Sequence, residues 1–519
     1  MSTSWFDSRD LRDKSPFGAV PCGTRVQFCL RPEADAAITR CELLAHAEFA
    51  DHWETIPLEA AREDGATVFR GAYVAPRQAD LVWYHFRLLW ADGGTSCYGK
   101  AGLCAWDAVE PWQLTVYDDT HKTPEWFGRG LTYQIFPDRF CRAKKREITG
   151  LVGPRTLHEH WDEAPEYRPN AQGEITCSDF FGGDLAGITE KLDYLSSLGV
   201  TTLYLCPIFE ASTNHRYDTA CYERIDPLLG TEEDFRTLCA EAKKRGIRVM
   251  LDGVFNHTGR KSVYFNADGF YPTLGAAQGE QSPYYRWYSF HPFPDDYDAW
   301  WGIKNLPAVN ETEESYVDYI IEGEHSIIRR WLRAGASGWR LDVADELPDE
   351  FIARIRRAIE EERPDGYLLG EVWEDGTTKI AYSKRRKYLL GRETHGLMNY
   401  PFRTALLDFL RGGDAAAFRE RMEELREHYP APAYYGAMNF LSTHDTPRLL
   451  TLLGHEGDAP ATRDERAAYL LSEEEKSRGT ALLKLAALIL YTFPGSPMLY
   501  YGDEAGMQGF EDPFNRGPY

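Results

Sequence analysis

Gly338-Trp339-Arg340-Leu341-Asp342 is the stretch on which the reading of this chain turns. A short apolar run that ends on a carboxylate, with an arginine two residues before it, has the character of a buried strand. Side chains alternate along a strand, so Arg340 and Asp342 share a face. A cation there favours the ionised acid, and an ionised Asp at a strand end can act as a nucleophile on carbon. Alone, the pattern reads more often as a structural ion pair. Three further segments change that weight, because Asp252, Glu371 and Asp445 each close an apolar run of the same kind.

Strand patterns fall at 133–136, 202–205, 247–251, 339–343, 367–371, 397–400, 437–441 and 498–501. Most are separated by helical periodicity. Leu185, Ile188, Leu192, Leu195 and Leu198 recur at three and four, with Gly199 as the stop. Thr231 starts another helix, with Asp234 three residues on as a weaker form of the capping box, and Gly246 ends it. A later helix carries Phe351, Ile352, Ile355 and Ile359. Eight strands alternating with helices predict an α/β fold, a (β/α)8 TIM barrel, over 123–519. In such a barrel the C-terminal strand ends converge on one mouth, so Asp252, Asp342, Glu371 and Asp445 are expected to face one another there. Gathered carboxylates repel, and at least one then keeps its proton near neutral pH.

Two irregularities accompany this pattern. About seventy residues with little periodicity follow the third strand, and a stretch of that length implies function or a small inserted domain. The inserted domain is expected at 258–320, and its segment 284–301 is crowded with Tyr, Phe and Trp. Sugar stacking and plain local packing explain that crowding equally well. No helical pattern follows the eighth strand before Tyr519, so the chain reads as truncated, its eighth helix missing. An open barrel seam there predicts exposed apolar surface.

Residues 1–122 read as an all-β unit. Val26, Phe28 and Leu30 alternate with polar neighbours, as do Val82, Tyr84, Phe86 and Leu88, and Asp92-Gly93-Gly94 marks a turn. A small β-sandwich is expected. Trp53, Trp83, Trp90 and Trp112 are core candidates before they are sugar platforms.

The 519 residues allow two or three domains, and 43% hydrophobic residues supply a large core. Lys and Arg number 58 against 81 Asp and Glu, for a net charge of -23. Such a chain is a poor binder of polyanions, which argues against nucleic acid and anionic membranes as partners. The start Met1-Ser2-Thr3-Ser4-Trp5 has no basic or apolar signal segment, and no run approaches the roughly 20 apolar residues of a membrane span. Ten cysteines without CxxC or zinc-ligand spacing point to reduced thiols in the cytoplasm.

Over 125–519 the chain resembles the α-amylase superfamily, glycoside hydrolase family thirteen. The ordered blocks are Asp252-Gly253-Val254-Phe255-Asn256-His257, Gly338 to Glu346, Gly370-Glu371-Val372-Trp373 and Ser442-Thr443-His444-Asp445. Asn214-His215-Arg216-Tyr217-Asp218, Gly182-Gly183-Asp184-Leu185 and the segment Gly495 to Glu504 also fit. Val343-Ala344-Asp345-Glu346 and Leu306-Pro307-Ala308-Val309-Asn310 resemble the neopullulanase, cyclomaltodextrinase and amylopullulanase branch. Residues 1–122 resemble that branch's starch-binding-like module.

The resemblance implies a retaining glycosidase that cuts α-1,4 glucosidic bonds in pullulan, starch or maltodextrins, with α-1,6 bonds left open. It implies Asp342 as nucleophile, Glu371 as acid and base, and Asp445 as the group that holds the distorted sugar. Arg340 would orient Asp342, His257 and His444 would bond sugar hydroxyls, and Tyr217 would stack beneath the ring. Asp512 and Arg516 would grip the next sugar outward, and Glu346 would line the leaving-group side. No cofactor is implied. Calcium is open, since Cys141-Arg142-Ala143-Lys144-Lys145 lacks the branch's Asn- and Asp-rich ligand loop and no metal ligand is assigned. The C-terminal β-domain of the family is absent from the pattern, and a homodimer through the N-terminal module is open. The alternatives are an α-glucan transglycosylase, in which a sugar rather than water resolves the ester, and a non-catalytic glucan-binding protein on the same scaffold. Members of the latter kind have usually lost an acid of the trio, whereas all three are present here.

Overall fold

The computed structural model describes residues 4–120, 122–145 and 152–519; Met1, Ser2 and Thr3, read above for a signal segment, lie outside them. The chain divides into two compact units. One comprises residues 1–123, 375–393 and 419–434, and the other comprises 124–374, 394–418 and 435–519.

The first unit is built on a ten-stranded sheet. Its long strand His52–Glu63 pairs through 52–58 with Ile38–Ala47 and through 59–63 with Ala66–Val74. Both halves of the sheet send alternate residues into one core. Val26, Phe28, Phe69 and Tyr73 come from one half, and Leu43, Val82, Tyr84, Phe86 and Leu114 from the other. Trp112 is buried in that core, while Trp53 stands exposed on the outside, stacked on His46. Residues from the two later segments complete the unit. Gln113 Nε2 donates to Thr377 Oγ1 at 2.8 Å, and Arg9 pairs with Glu420 and Glu427.

The second unit holds eight parallel strands: β1 (Leu131–Ile135), β2 (Val200–Leu205), β3 (Arg248–Gly253), β4 (Gly338–Leu341), β5 (Tyr367–Gly370), β6 (Gly396–Leu397), β7 (Met438–Asn439) and β8 (Ser496–Tyr500). Each pairs with its successor from β1 to β6, β8 pairs with β1 and with β7, and a parallel bridge between Met398 and Met438 closes the ring. The interior is packed rather than open, with Tyr204, Met250, Leu369, Met438 and Met498 in one buried cluster. Gly338 is required where β4 meets β5, because a Cβ there would lie 2.3 Å from the Tyr367 carbonyl oxygen.

The helices follow the periodicity. α1 (Leu185–Glu190) and α2 (Leu192–Ser197) divide one expected helix at Lys191. α3 (Glu232–Lys244) opens on the Thr231–Asp234 capping box and buries Phe235, Leu238, Cys239 and Ala242. α4 (Ile327–Ala334) and α5 (Asp349–Glu362) flank β4. The expected strand at 397–400 is shorter than the sequence suggests: Tyr400 begins α6 (Tyr400–Leu410). Asn399 caps that helix by accepting from Phe402 N at 3.1 Å, and Pro401 in the first turn favours helix over strand.

Between β3 and α4 the chain forms turns and short helical segments, the last of them Glu314–Val317 continuing into Asp318–Glu322. Most of its aromatic residues bury one another: Trp287, Tyr288 and Tyr297 are in the core, with Trp287 against Tyr264 and Tyr316. Between β7 and β8, α7 (Glu473–Thr492) leaves Leu485, Leu488 and Tyr491 exposed. No helix among the described residues is long and apolar enough to cross a membrane.

Candidate active site

Three neighbouring strands deliver three carboxylates to one guanidinium. Asp252 lies at the end of β3, and Asp342 and Glu371 directly follow β4 and β5. Strand register places Asp252 opposite Arg340. The buried Arg340 sets Nη1 at 2.8 Å from Asp252 Oδ1 and 2.7 Å from Asp342 Oδ1, and Nη2 at 2.8 Å from Glu371 Oε2. One cation cannot neutralise three buried acids, so the group retains a proton near neutral pH. Burial pushes Asp342 well above the usual carboxylate range. Arg340 pulls it down, while Glu371 and Asp252 push it further up. Burial raises Asp252 too, again against Arg340.

Asp252 is fully engaged, its Oδ2 accepting from Tyr204 Oη at 2.6 Å and Tyr217 Oη at 3.0 Å. Burial keeps both phenols protonated, so both donate. Tyr217 also meets His444 Nε2 at 2.6 Å, and His444 Nδ1 lies 2.8 Å from Gln134 Nε2. The network assigns the tautomer: Gln134 donates to Nδ1, Nε2–H donates to Tyr217, and Tyr217 donates to Asp252. Burial, helped by Arg516 and Arg340, holds the His444 imidazole neutral, well below the ordinary histidine range. One face of Tyr217 lies against the His444 ring, with centroids 5.4 Å apart.

Glu371 is held from a second side. Its Oε2 accepts from Val343 N at 2.8 Å, and its Oε1 from Trp373 Nε1 at 3.2 Å and Tyr400 Oη at 3.4 Å. Val343 reaches it from a backbone φ of 39°, a region β-branched residues rarely enter. Strain of this kind marks sites where geometry matters more than stability.

Asp445 stands apart from Arg340, at the rim. Arg516 Nη2 is 3.4 Å from its Oδ1, His444 Nε2 is 3.2 Å from its Oδ2, and 33% of its side chain is exposed. Burial by its neighbours pushes Asp445 up and Arg516 opposes it, with solvent at the open rim softening both. Arg516 also pairs with Asp512 at 3.0 Å and donates from Nε to the His444 carbonyl at 2.9 Å. His257 and Glu346 complete the set through the inserted segment. His257 stacks on Trp300, its Nε2 is buried with no hydrogen-bond partner among the described residues, and burial lowers its pKa to about 4. Glu346 Oε1 accepts from Trp301 Nε1 at 3.2 Å.

Apart from His257 and Glu346, which meet Trp300 and Trp301, the residues read from sequence form two linked groups. One surrounds Arg340 and the other Arg516, with Tyr217 and His444 between them. Sequence reasoning missed Gln134, Tyr204, Tyr400 and Trp300. A polar Gln134 inside an apolar strand was the available signal for the first; nothing local marks the others. Among the described residues no group of three or more His, Cys, Asp or Glu side chains is arranged to hold a metal ion. The backbone of Ala143 and Lys144, where the ligand loop was sought, donates instead to Asp184.

Comparison with known proteins gives the family. Residues 134–517 match the family described as "Alpha amylase, catalytic domain". An amylopullulanase of Thermoanaerobacterium saccharolyticum is 35% identical over 98% of this chain and 42% of its own length. A cyclomaltodextrinase of Geobacillus thermopakistaniensis is 35% identical over 89% of this chain and 71% of its own. The solved type III pullulan hydrolase from Thermococcus kodakarensis superposes with a TM-score of 0.63 at 28% identity, covering 99% of this chain and 83% of its own. The chain spans well under half the length of the amylopullulanases it matches.

Proposed function

This chain belongs to the α-amylase family of glycosidases, and from that premise we propose that it is a retaining hydrolase of α-glucans, cutting α-1,4 bonds in pullulan, starch or maltodextrins. The observation that carries the reading is the Arg340 hub. Two carboxylates from adjacent strands contact one guanidinium, which supports their working as the pair of a retaining mechanism. In this reading Asp342 gives up its proton when the sugar binds, and the carboxylate, oriented by Arg340, attacks the anomeric carbon and forms a β-linked ester. Glu371 gives its proton to the leaving oxygen and then takes one from the incoming water. Asp445, fixed by Arg516, holds the sugar hydroxyls and stabilises positive charge on the ring. Neutral His257 and His444 bond hydroxyls, and Tyr217 faces the sugar ring. Asp512 and Arg516 grip the next unit outward, and Glu346 lies on the leaving-group side.

Residues 258–320 serve in this reading as an inserted domain over the mouth. Its support is local: Thr258 N donates to Pro307 O and Val309 N to Asn256 O, tying the return of the insertion to the loop after β3. Residues 1–122 serve as the starch-binding-like module, with a reducing compartment supported by ten free cysteines. No step requires a metal or a cofactor.

Incubation with pullulan, followed by chromatography against an Asp342→Asn control, tests the proposal. Panose is expected, and the control should fall on the order of 10⁴-fold or more, as loss of a nucleophile usually does. Maltotriose as the main product would move the cut to α-1,6. Equal products from both proteins would reject Asp342.

A further inference from the structure

Trp301 is the most exposed large apolar side chain among the described residues, at 80%. In the inserted segment Trp287, Tyr288 and Tyr297 are buried, and the exposed apolar side chains Phe293 and Ile303 reach only 39% and 45%. Its backbone sits at φ 49°, ψ 28°, a left-handed conformation disfavoured for any residue with a Cβ, and Gly302 continues at φ 75°. The turn that imposes this is closed by hydrogen bonds from Trp300 N to Leu306 O, Gly302 N to Ala299 O and Ile303 N to Trp300 O. The fold therefore holds an indole in water with a strained, hydrogen-bonded turn, an arrangement that hydrophobic burial opposes.

The ring is also aimed. Its inner face stacks on Trp300 at 5.2 Å and 22°, and Trp300 stacks on His257 at 5.4 Å and 27°. A ladder of three rings thus runs from the buried pocket to solvent, and the outer face of Trp301 is its open end. The indole N–H is committed to Glu346. Glu346 closes the turn after Asp342, its N–H donating to Val343 O, and Val343 N in turn donates to Glu371. The platform therefore stands on the Glu371 side of the site, where the leaving group departs.

We infer that Trp301 is a stacking platform for a glucose unit on the leaving-group side of the bond that is cut, and that it sets the preference for longer α-glucans. The apolar C–H face of a glucose ring matches the open indole face. The inference rests on the glycosidase reading above.

The test compares kcat/KM for maltopentaose with kcat/KM for α-maltosyl fluoride, whose leaving group is fluoride and carries no sugar to the platform. Trp301→Ala is expected to lower the maltopentaose-to-fluoride ratio roughly three- to tenfold, the size of one aromatic contact. Trp301→Phe should restore most of it. A ratio unchanged in Trp301→Ala overturns the inference while leaving the glycosidase reading intact. Failure of the parent chain to turn over either substrate would remove that reading and the inference with it.

Discussion

Arg340 is the residue on which the site's electrostatics depend. It contacts Asp252, Asp342 and Glu371 together, so its one positive charge is shared among three carboxyl groups. The sign for stability follows. Asp342 has its folded pKa raised, so the stability it contributes is present below the unfolded carboxylate value and is lost as pH rises through the folded one. Asp342→Asn removes that loss and leaves Arg340 with two partners. The variant should therefore melt higher than the parent at pH 7, by about 1 °C for each kcal/mol regained in a chain of this length, with the gain disappearing near pH 4. Calorimetry at both values checks this, and a variant less stable at pH 7 would contradict it. His257 runs the other way. Its folded pKa of about 4 lies below the unfolded value, so its contribution is lost as pH falls toward 4. The shared face of Arg340 and Asp342 was legible from the two-residue strand period. The second and third acids on Arg340 were not, because they depend on register between strands far apart in sequence.

At the level of elements, the decisive piece is the turn after β4. Val343 takes φ 39° and so points its N–H at Glu371. Val343→Gly would relieve roughly 1 kcal/mol of left-handed strain while giving the unfolded chain extra freedom. The expected result is a melting temperature within about a degree or two of the parent and a several-fold lower kcat, because glycine no longer fixes the donor. An unchanged kcat would show that the turn only connects. All eight strands were visible as apolar runs, since most are buried on both faces and need little else to declare themselves. Their ends were not. β6 and β7 are two residues long, and the Asn399 cap with Pro401 overrides the apolar run at 397–400. The capping box at Thr231 was legible because it is local.

For the whole molecule, periodicity predicted two kinds of architecture in the right order along the chain. It gave no sign that 375–393 and 419–434 group with the N-terminal residues. Contacts such as Gln113–Thr377 and the pairing of Arg9 with Glu420 and Glu427 join these segments to the N-terminal residues, and such contacts leave no repeating pattern in sequence. The aromatic crowding at 284–301 could not be divided by sequence into packing and display. The structure divides it, burying Trp287, Tyr288 and Tyr297 and exposing Trp301. Sequence likewise gave no sign that α7 leaves Leu485, Leu488 and Tyr491 exposed.

The central claim is that Asp342 becomes covalently bonded to the sugar, and mass spectrometry of the intact chain tests it most directly. In Glu371→Gln treated with α-maltosyl fluoride, fluoride can leave without a general acid, but water then lacks the base needed to resolve the ester. The account predicts a chain heavier by one maltosyl group, with the label on the peptide that contains Asp342. A label on another carboxylate, or fluoride release at the parental rate with no label on any peptide, would contradict it.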